Sequence, residues 1–501
     1  MLDLSPEQLI IAAILIPLAV AALLPVFHRV PNLREAVTLA GTVALLSTTI
    51  RLAGHVFEGA RPGVFDFDIG YGLTFGFKVE PLGMMFALVA STLWIANSVY
   101  SIGYMRGNNE PRQTMFYVCF AVALSSTIAL AFSKNLFTLF LFYEILTLST
   151  FPLVAHKANA DALRGARIYI MLLLATSMVL LLPAIAWTWN LAGTTDFKLG
   201  GIYPASIDTT TLTILVVLFA FGIGKAALMP FHFWLPSAMV APTPVSALLH
   251  AVAVVKAGVF TVTKVFVYIF GIDTLAQTGA SDWLVYFASF CLLAASVIAI
   301  TKTNLKARLA YSTVSQLAYV VLGAALATQT AIIGAGVHIV MHAVAKITLF
   351  FCAGAIYTVA HKTEIHELDG IGRKMPLTMA AFVIGSLSII GLPPFGGAWS
   401  KWWLMIGALD AGKQFVVAVL MLSSLLNVWY LLSIPIRAFF TPEHKTVSVS
   451  AAAAAGNDLP NGLERRHPLV VIAPCVTAAG CLALFFYADA IVALLQPIVP
   501  K

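Results

Sequence analysis

Apolar runs of about 20 residues, separated by short polar stretches, recur from one end of the 501-residue chain to the other. A run of that length crosses the hydrocarbon core of a bilayer as an α-helix. The pattern therefore predicts an all-α polytopic membrane protein with about fourteen transmembrane helices. The predicted helices span residues 8–27, 34–54, 80–104, 113–132, 134–156, 163–191, 210–236, 243–271, 283–302, 308–326, 329–357, 377–407, 414–438 and 469–496.

Residues 441–467 form the one long polar stretch between apolar runs. The stretch contains Ala451–Ala455 and the basic pair Arg465 and Arg466, a composition typical of a flexible loop. It is too short and too poor in apolar residues to fold alone. We therefore predict a cytoplasmic loop here and a single membrane domain over residues 1–501.

Composition supports the membrane class, and charge predicts an orientation. Hydrophobic residues make up 60% of the chain and charged residues 10%. No basic segment with a cleavage-like site precedes the first apolar run, so we expect a retained helix there rather than a signal peptide. With the N-terminus outside, the inward loops hold 17 Lys and Arg and the outward segments hold 7. Because basic loops favour the cytoplasm, both termini are predicted on the outer side of the cell inner (plasma) membrane.

The other five of the 29 Lys and Arg lie inside apolar runs. Each costs roughly 2.5–3.5 kcal/mol at the centre of a bilayer, so the set points to a use. Ionisable residues inside a membrane protein often mark a path for protons or other ions. The five are Lys225, Lys256, Lys264, Lys346 and Lys401.

Two histidines precede one of these lysines at helical spacing. His338, His342 and Lys346 are four residues apart, so they are expected to stack along one helix face and could pass a proton. The alternative for each histidine is a hydrogen-bonded core residue. His232 lies between two prolines and is interpreted as structural, as is Asp489 in the last predicted helix.

Two predicted helices contain helix breakers beside a lysine. The seventh contains Gly222, Gly224 and Pro230 around Lys225, and the twelfth contains Gly391-Leu-Pro-Pro394 before Lys401. Proline and glycine interrupt the backbone hydrogen bonds of a helix, and paired discontinuous helices are typical of inverted-repeat transporters. The alternative is a pair of ordinary proline kinks.

At these residues the chain resembles the antiporter-like subunits shared by respiratory complex I, membrane-bound hydrogenase and formate hydrogenlyase complexes, and Mrp-type sodium/proton antiporters. The resemblance covers about Pro81 to Arg437 and rests on motifs in the family's order. The motifs are Leu141-Phe-Tyr-Glu144, Gly224-Lys225 with Pro230-Phe-His232-Phe-Trp-Leu-Pro236, Pro242-Thr-Pro244-Val-Ser-Ala-Leu-Leu-His250, Leu309-Ala-Tyr311-Ser312-Thr-Val-Ser315-Gln316, His338-Ile-Val-Met-His342-Ala-Val-Ala-Lys346, and Gly391-Leu-Pro-Pro394 with Lys401.

The resemblance implies an arrangement of the fourteen helices. Helices 1–3 over residues 8–104 would precede a first five-helix repeat at 113–271 (helices 4–8) and an inverted second repeat at 283–438 (helices 9–13). Helices 7 and 12 would be discontinuous, and helix 14 would occupy residues 469–496.

The resemblance also implies a mid-membrane chain of proton-carrying residues. Glu144 and Lys225 would form a charge pair, Lys256 the central relay and Lys401 the exit-side residue. His250, together with His338, His342 and Lys346, would supply further relay members, and Lys264 occupies a position whose role in the family is unsettled.

A charge pair of this kind has a simple physical rationale. Burial lowers the proton affinity of a lysine and a neighbouring carboxylate raises it. At about 4 Å and an effective dielectric constant near 20, the pair interacts by about 4 kcal/mol, or about a thousandfold in proton affinity. Movement of Glu144 could therefore make Lys225 release its proton. The alternative is a static buried ion pair.

Departures from the family pattern favour one branch. The chain ends soon after its fourteenth predicted helix, and Lys401 replaces a glutamate that M-type complex I subunits often carry. We therefore expect an Mrp D-like antiporter subunit, with an N- or M-type complex I subunit or a hydrogenase-associated subunit as the alternative. A scaffold that no longer transports is a third hypothesis.

The expected partners are other membrane subunits, the lipid bilayer and protons, with sodium as a second candidate ion. No nucleic acid is expected. The five cysteines are scattered through apolar runs, and Gly-rich nucleotide fingerprints are missing, so no cofactor or metal is expected on this chain. Redox chemistry would belong to other subunits, and the chain would be a transporter subunit or a non-redox subunit of a quinone-reducing complex.

Overall fold

The computed structural model describes residues 4–70, 73–442 and 463–499. Most of the predicted cytoplasmic loop at 441–467 lies outside these residues. Helices make up most of the described chain, which confirms the prediction of an all-α polytopic membrane protein apart from one hairpin. The helices of at least eight residues are α1 (Pro6–Leu23), α2 (Pro31–Phe57), α3 (Pro81–Gly107), α4 (Gln113–Ala131), α5 (Leu136–Val154), α6 (Ala160–Ala192), α7 (Thr209–Gly222), α8 (Thr243–Phe270), α9 (Asp282–Thr301), α10 (Leu305–Ala325), α11 (Gln329–Ala360), α12 (Pro376–Ile390), α13 (Gly397–Asp410), α14 (Gln414–Phe440), α15 (Pro468–Phe486) and α16 (Ala488–Ile498), and a short helix at Ile272–Thr278 follows α8.

Eleven helices in the described part of the chain are long and apolar enough to cross a membrane. They are α1 to α6, α8, α9, α11, α14 and α15. The predicted seventh, tenth and twelfth spans correspond to shorter or more polar pieces, namely α7, α10, and α12 with α13. The count of fourteen spans and the inverted repeats therefore stay predictions.

Local sequence explains where several helices begin. Asn135, Asn159, Asn304 and Thr328 each precede a helix and accept a hydrogen bond from a backbone N–H of its first turn. Such caps satisfy donors that have no partner inside the helix. Proline occupies the first position of α2, α3, α12 and α15, where its missing N–H costs nothing.

The segment that follows α7 is broken beside Lys225. After Gly222 the chain makes one 3₁₀ turn at Gly224–Ala226, and Ala227 has a positive φ of 53°. A Cβ on Gly224 would collide with the Thr176 side chain of α6, so only glycine permits this approach. Short helical turns then lead to Val240.

A second break separates α12 from α13. Gly391 ends α12 with a φ of +89°, and α13 begins at Gly397. A Cβ on Gly397 would overlap the main-chain oxygen of Ser388. Both positions therefore require glycine. The Gly391 and Leu392 N–H groups bond to carbonyls of the last turn of α12, but the Ile390 carbonyl has no following helical turn to bond.

One end of the bundle collects the segments around residues 105–112, 155–159, 238–243, 302–307 and 358–375, and we call it the basic face. Lys306 Nζ donates to the Ala241 carbonyl at 2.6 Å, and Asn108 Nδ2 donates to Thr358 Oγ1 at 2.8 Å. These bonds join segments at the same end of the bundle. Along the chain, segments at this end alternate with segments at the opposite end. The face holds most of the loop lysines and arginines.

The opposite end, which we call the hairpin face, contains an antiparallel hairpin of β1 (Gly63–Gly70) and β2 (Leu73–Lys78). Lys134 Nζ lies 2.8 Å from Asp66 and 3.4 Å from Asp196, which fixes the hairpin to the neighbouring loops. Partial burial lowers the pKa of Lys134, but the two carboxylates outweigh it and hold the pKa above its usual range.

Two helices occupy the centre of the bundle. Every residue of α8 is buried, and α11 is buried along nearly its whole length. They run in opposite directions and pack against each other, with the His250 ring 4.6 Å from the Phe350 ring. Polar residues on these helices are therefore shielded from lipid on all sides.

Candidate functional site

All five lysines within the apolar segments are buried in the structure. Lys225 lies in the break after α7, Lys256 and Lys264 in α8, Lys346 in α11 and Lys401 in α13. A buried ammonium group needs hydrogen-bond acceptors, since an unpartnered charge in an apolar interior is strongly unfavourable. The acceptors that each lysine finds therefore decide what the site can do.

The Lys225 ammonium is held by α5. Its Nζ donates to the Tyr143 carbonyl at 2.8 Å and to the Thr147 hydroxyl at 2.6 Å, and lies 3.1 Å from the centre of the Tyr143 ring. The Lys225 backbone N–H donates to the Tyr143 hydroxyl at 3.1 Å. Tyr143 and Thr147 were not identified from the sequence, although Tyr143 lies within the quoted motif.

Glu144 follows Tyr143 on α5, but it makes no direct ion pair with Lys225. Both residues are described, and no nitrogen–oxygen distance between their charged groups is within 4 Å. Both carboxylate oxygens of Glu144 are buried without a hydrogen-bond partner among the described residues. The predicted coupling of the two charges therefore stays a prediction. In the structure Lys225 is hydrogen-bonded to Tyr143, and Glu144 is the next residue in the chain.

The centre of the site is a direct contact between α8 and α11. Lys256 Nζ forms a hydrogen bond with His342 Nδ1. The His342 ring lies nearly parallel to that of His338, with centroids 5.9 Å apart, and His338 Nδ1 is 2.9 Å from the Ser400 hydroxyl. Side chains that can donate or accept hydrogen bonds thus connect α8, α11 and α13.

Lys401 is next to Ser400 and extends this arrangement. Its Nζ donates to the Ile390 carbonyl and to the Ser424 hydroxyl, each at 2.8 Å. The Tyr319 ring stacks on His338 at 5.2 Å and lies 5.1 Å from Lys401 Nζ. We use the name polar row for five residues in their spatial order: Lys256, His342, His338, Ser400 and Lys401.

Lys346 and His250 branch from the polar row. Lys346 Nζ donates to the Ser312 hydroxyl at 2.6 Å and lies 3.3 Å from the Leu309 carbonyl, whereas no hydrogen bond joins it to His342. Tyr430 in turn donates to Ser312 at 3.0 Å. The predicted stack of two histidines and a lysine is thus divided, with Lys346 bonded to α10.

His250 packs on Phe350, and neither ring nitrogen has a hydrogen-bond partner within the described segments. An unpaired buried polar group costs about 1–3 kcal/mol. Several other unpartnered buried groups lie on α5, α8, α10 and α11. These are the side-chain atoms of Ser246, Gln316 and Glu144, together with Nε2 of His338 and His342.

Lys264 lies apart from the polar row, towards the hairpin face. Its Nζ is 3.4 Å from Glu80 Oε2, donates to the Ser133 carbonyl at 2.9 Å and lies 4.4 Å from the centre of the Phe197 ring. Glu80 immediately precedes α3 and is itself buried. Sequence reasoning missed this carboxylate because it was placed at a helix boundary, where exposure is the usual expectation.

No group of three or more His, Cys, Asp or Glu residues that could hold a metal ion occurs in the described part of the chain. Lysine, histidine and hydroxyl groups are side chains that can bind, release or relay protons, and the polar row brings them together inside the bundle, although its two histidines stack without a hydrogen bond between them.

Comparison with known proteins identifies the class to which this fold and site belong. The family model for the transmembrane region of NADH:quinone oxidoreductase and Mrp antiporter proteins matches residues 133–427, more than half of the chain. The chain belongs to this family, and the resemblance inferred from its motifs is confirmed.

Particular relatives come from both branches of the family. The chain is 33% identical over 430 residues to the N subunit of NADH-quinone oxidoreductase from Desulforudis audaxviator, covering 84% of each chain. It is 25% identical over 449 residues to the D subunit of an Na(+)/H(+) antiporter from Alkalihalophilus pseudofirmus, covering 88% of each. It also matches NAD(P)H-quinone oxidoreductase chain 5 of Synechocystis sp. at 30% identity, but spans only 52% of that protein.

A solved structure shares the whole fold. A chain in the structure of the Mrp complex from Dietzia sp. superposes with a TM-score of 0.85, covering 98% of this chain and 96% of the other at 22% sequence identity. The chain is therefore an integral membrane protein with an antiporter-like fold.

The pair of Glu80 and Lys264 should contribute to stability. Removing one partner of a buried ion pair leaves an uncompensated charge and costs about 3–5 kcal/mol. We expect Lys264→Met and Glu80→Gln each to lower the melting temperature in detergent. The double variant should be more stable than either single variant, because it buries no charge at this position.

The control is Lys198→Met, which removes an exposed lysine from the same face and should leave the melting temperature unchanged. A double variant that is less stable than both single variants would contradict the assignment of a mutually compensating pair.

Proposed function

We propose that the chain is the proton-translocating, antiporter-like subunit of a multisubunit membrane complex. The observation that supports this most is the polar row inside the bundle: Lys256 is hydrogen-bonded to His342, His342 stacks on His338, and His338 is hydrogen-bonded to Ser400, which precedes Lys401 in the chain. A proton moving along it would pass from α8 through α11 to α13.

Lys225 and Glu144 supply the controlling charge at the other end of this path. The Lys225 main chain packs against Gly258 of α8, two residues after Lys256, so closely that a Cβ on Gly258 would lie 2.6 Å from the Lys225 oxygen. A change of charge or backbone at the break is thereby transmitted to the helix that bears Lys256.

Protons would reach the row from the basic face. A cavity of about 210 Å³ opens there, lined by residues that include Thr243, Lys306 and Tyr357. From Thr243 the stripe Ser246 and His250 leads inward along α8, at spacings of three and four residues that share a helix face. Water could satisfy the unpartnered groups of this stripe, as it does for many buried polar atoms.

Gly354 of α11, next to Ala353 in the cavity lining, forms a tightly packed neck with Tyr100 and Thr243. A Cβ there would overlap the Tyr100 hydroxyl and lie 2.7 Å from the Thr243 methyl group. Phe350, one turn deeper on α11, packs on His250. We propose that this neck controls proton access from the basic face.

Both ends of the proposed path lie beneath outward-facing helix surfaces. Ile145 and Leu148 next to Glu144 are exposed on α5, and Trp402 next to Lys401 is exposed on α13. In a complex these surfaces would contact other membrane subunits. The Mrp complex and an archaeal membrane-bound sulfane sulfur reductase, each with a chain of this fold, are multisubunit assemblies by their names.

The Mrp D-like interpretation, a proton or Na(+)/H(+) antiporter subunit, is supported by the 88% mutual coverage with the D subunit of an Na(+)/H(+) antiporter. The second candidate is the proton-pumping membrane subunit of a redox complex, favoured by the higher identity to the N subunit of NADH-quinone oxidoreductase. The proposed location is the cell inner membrane, with the basic face in the cytoplasm and both termini outside.

Flux through the purified complex in liposomes would test the proposal. An imposed proton gradient should drive proton flux through the complex. An imposed sodium gradient should drive proton flux only if the complex exchanges sodium for protons. Absence of proton flux under both gradients, in a complex that contains the chain, would contradict the proposal.

The charges of Glu144 and Lys225 should be coupled. We expect Lys225→Ala and Glu144→Ala each to abolish or strongly reduce proton-coupled flux while the complex still assembles, because either change removes one of two opposite charges buried beside Tyr143. Lys198→Ala is the matched control on an exposed lysine. Normal flux in either site variant would contradict the coupling.

Lys401 should need to lose its proton. Lys401→Arg keeps the positive charge, but arginine does not deprotonate in proteins, so we expect flux to fall at least tenfold. Lys413→Arg, which changes an ion-paired lysine on the hairpin face, should have no effect. Wild-type flux in Lys401→Arg would mean that Lys401 supplies only an electric field.

The neck at Gly354 should respond to a single methyl group. Gly354→Ala is expected to reduce flux several-fold, and adding Tyr100→Phe, which removes the overlapping hydroxyl, should restore part of it. Gly54→Ala is the control, since a Cβ there meets no atom within 4 Å. Unchanged flux in Gly354→Ala would exclude this route.

A further inference from the structure

We propose that an open cleft on the basic face, between the starts of α2 and α4, binds the phosphate group of an anionic phospholipid. The cleft has a volume of about 520 Å³, and its lining includes Arg29, Asn32, Arg106, Asn109 and Gln113. It is separate from the polar row, so the proposal does not depend on the function of the chain.

The wall of the cleft is a fixed network of arginines. Arg106 Nε and Nη2 bond to the Glu35 carboxylate at 3.0 and 2.5 Å, and Nη2 also donates to Asn32 Oδ1 at 2.6 Å. Buried Arg34 donates from Nη2 to Gln113 Oε1 at 2.8 Å and stacks on Tyr117. These bonds hold the lining side chains of Asn32, Arg106 and Gln113 in place before any ligand arrives.

The cleft keeps an excess of positive charge after these bonds are counted. Arg29, Arg34 and Arg106 face only one bonded carboxylate, that of Glu35, within the described chain. The side chain of Arg106 remains 45% exposed, and its Nη1 has no hydrogen-bond partner among the described residues. Arg29 makes no hydrogen bond or ion pair with another described residue. Guanidinium groups pair with phosphate oxygens through parallel hydrogen bonds.

Two helix ends add to the positive potential. α2 begins at Pro31 and α4 at Gln113, both in the cleft, and neither preceding residue caps its helix with a side chain. Free N–H groups at the start of a helix favour an anion. In this cleft the helix N–H groups add to the positive potential of the arginines, which are the main ligands for an anion.

The surroundings favour a lipid over a free anion. Val26 in the turn after α1, Leu33 at the start of α2 and Met115 at the start of α4 are exposed apolar residues close in sequence to the cleft. A phosphodiester in the cleft would leave its acyl chains against such a surface. Basic pockets between transmembrane helices on the cytoplasmic side are typical sites for anionic headgroups.

Native mass spectrometry of the purified complex tests the proposal. The complex is incubated with phosphatidylglycerol or phosphatidylcholine, and the lipid that stays bound to the chain is counted. We expect preferential retention of phosphatidylglycerol and a loss of about fivefold in Arg29→Gln, the effect of one basic residue near the headgroups. Asn109→Asp, which adds a negative charge at the cleft without changing size, should act in the same direction.

Arg164→Gln is the matched control, because it removes an exposed arginine from the basic face away from the cleft. Equal retention of the two lipids, or an equal loss in the control variant, would overturn the proposal. Displacement of the bound lipid by millimolar inorganic phosphate would also overturn it, since the cleft would then be a site for free anions.

Discussion

Five lysines inside an apolar bundle must each find an acceptor, and the rest of the structure is arranged around this requirement. Four of them use main-chain carbonyl oxygens. Lys225 binds that of Tyr143, Lys264 that of Ser133, Lys346 lies near that of Leu309 and Lys401 binds that of Ile390. The Ile390 carbonyl has no helical partner because α12 ends there. The helix break thus provides an acceptor for Lys401, and Lys401 satisfies a carbonyl that the break leaves unpaired.

Lys256 is the exception, and this difference is the basis for its proposed place at the start of the proton path. Its partner is the ring of His342 rather than a carbonyl, and a ring nitrogen can accept and return a proton whereas a carbonyl cannot. The polar row therefore starts where a lysine meets a group that titrates. The fixed acceptors of the other lysines make them better suited to hold charge near the row or to end it.

The sequence predicted the class, the buried lysines and both helix breaks because these leave strong local signals. An uninterrupted apolar run, a glycine near a proline and a lysine within an apolar run are each visible without knowledge of tertiary contacts. The hairpin also had a signal, since Phe65, Phe67 and Ile69 alternate with Asp66 and Asp68. It was overlooked beside the much longer helical runs.

The partners of the lysines could not be predicted in the same way. Thr147, Tyr319 and Ser400 are ordinary residues of apolar helices until the bundle brings them to a lysine or histidine. The pair of Glu80 and Lys264 joins residues far apart in the sequence, and the bond of Lys346 to Ser312 depends on how α10 packs on α11. Spacing along one helix predicts a shared face, but not which neighbour that face meets.

Substitution of His342 tests whether protons pass between Lys256 and His342. His342→Gln keeps a side chain that can accept a hydrogen bond from Lys256, but an amide does not titrate and cannot pass a proton on. Proton flux in liposomes should fall at least tenfold in this variant, with assembly and melting temperature close to those of the wild-type complex. Wild-type flux in an intact His342→Gln complex would contradict proton transfer along the polar row.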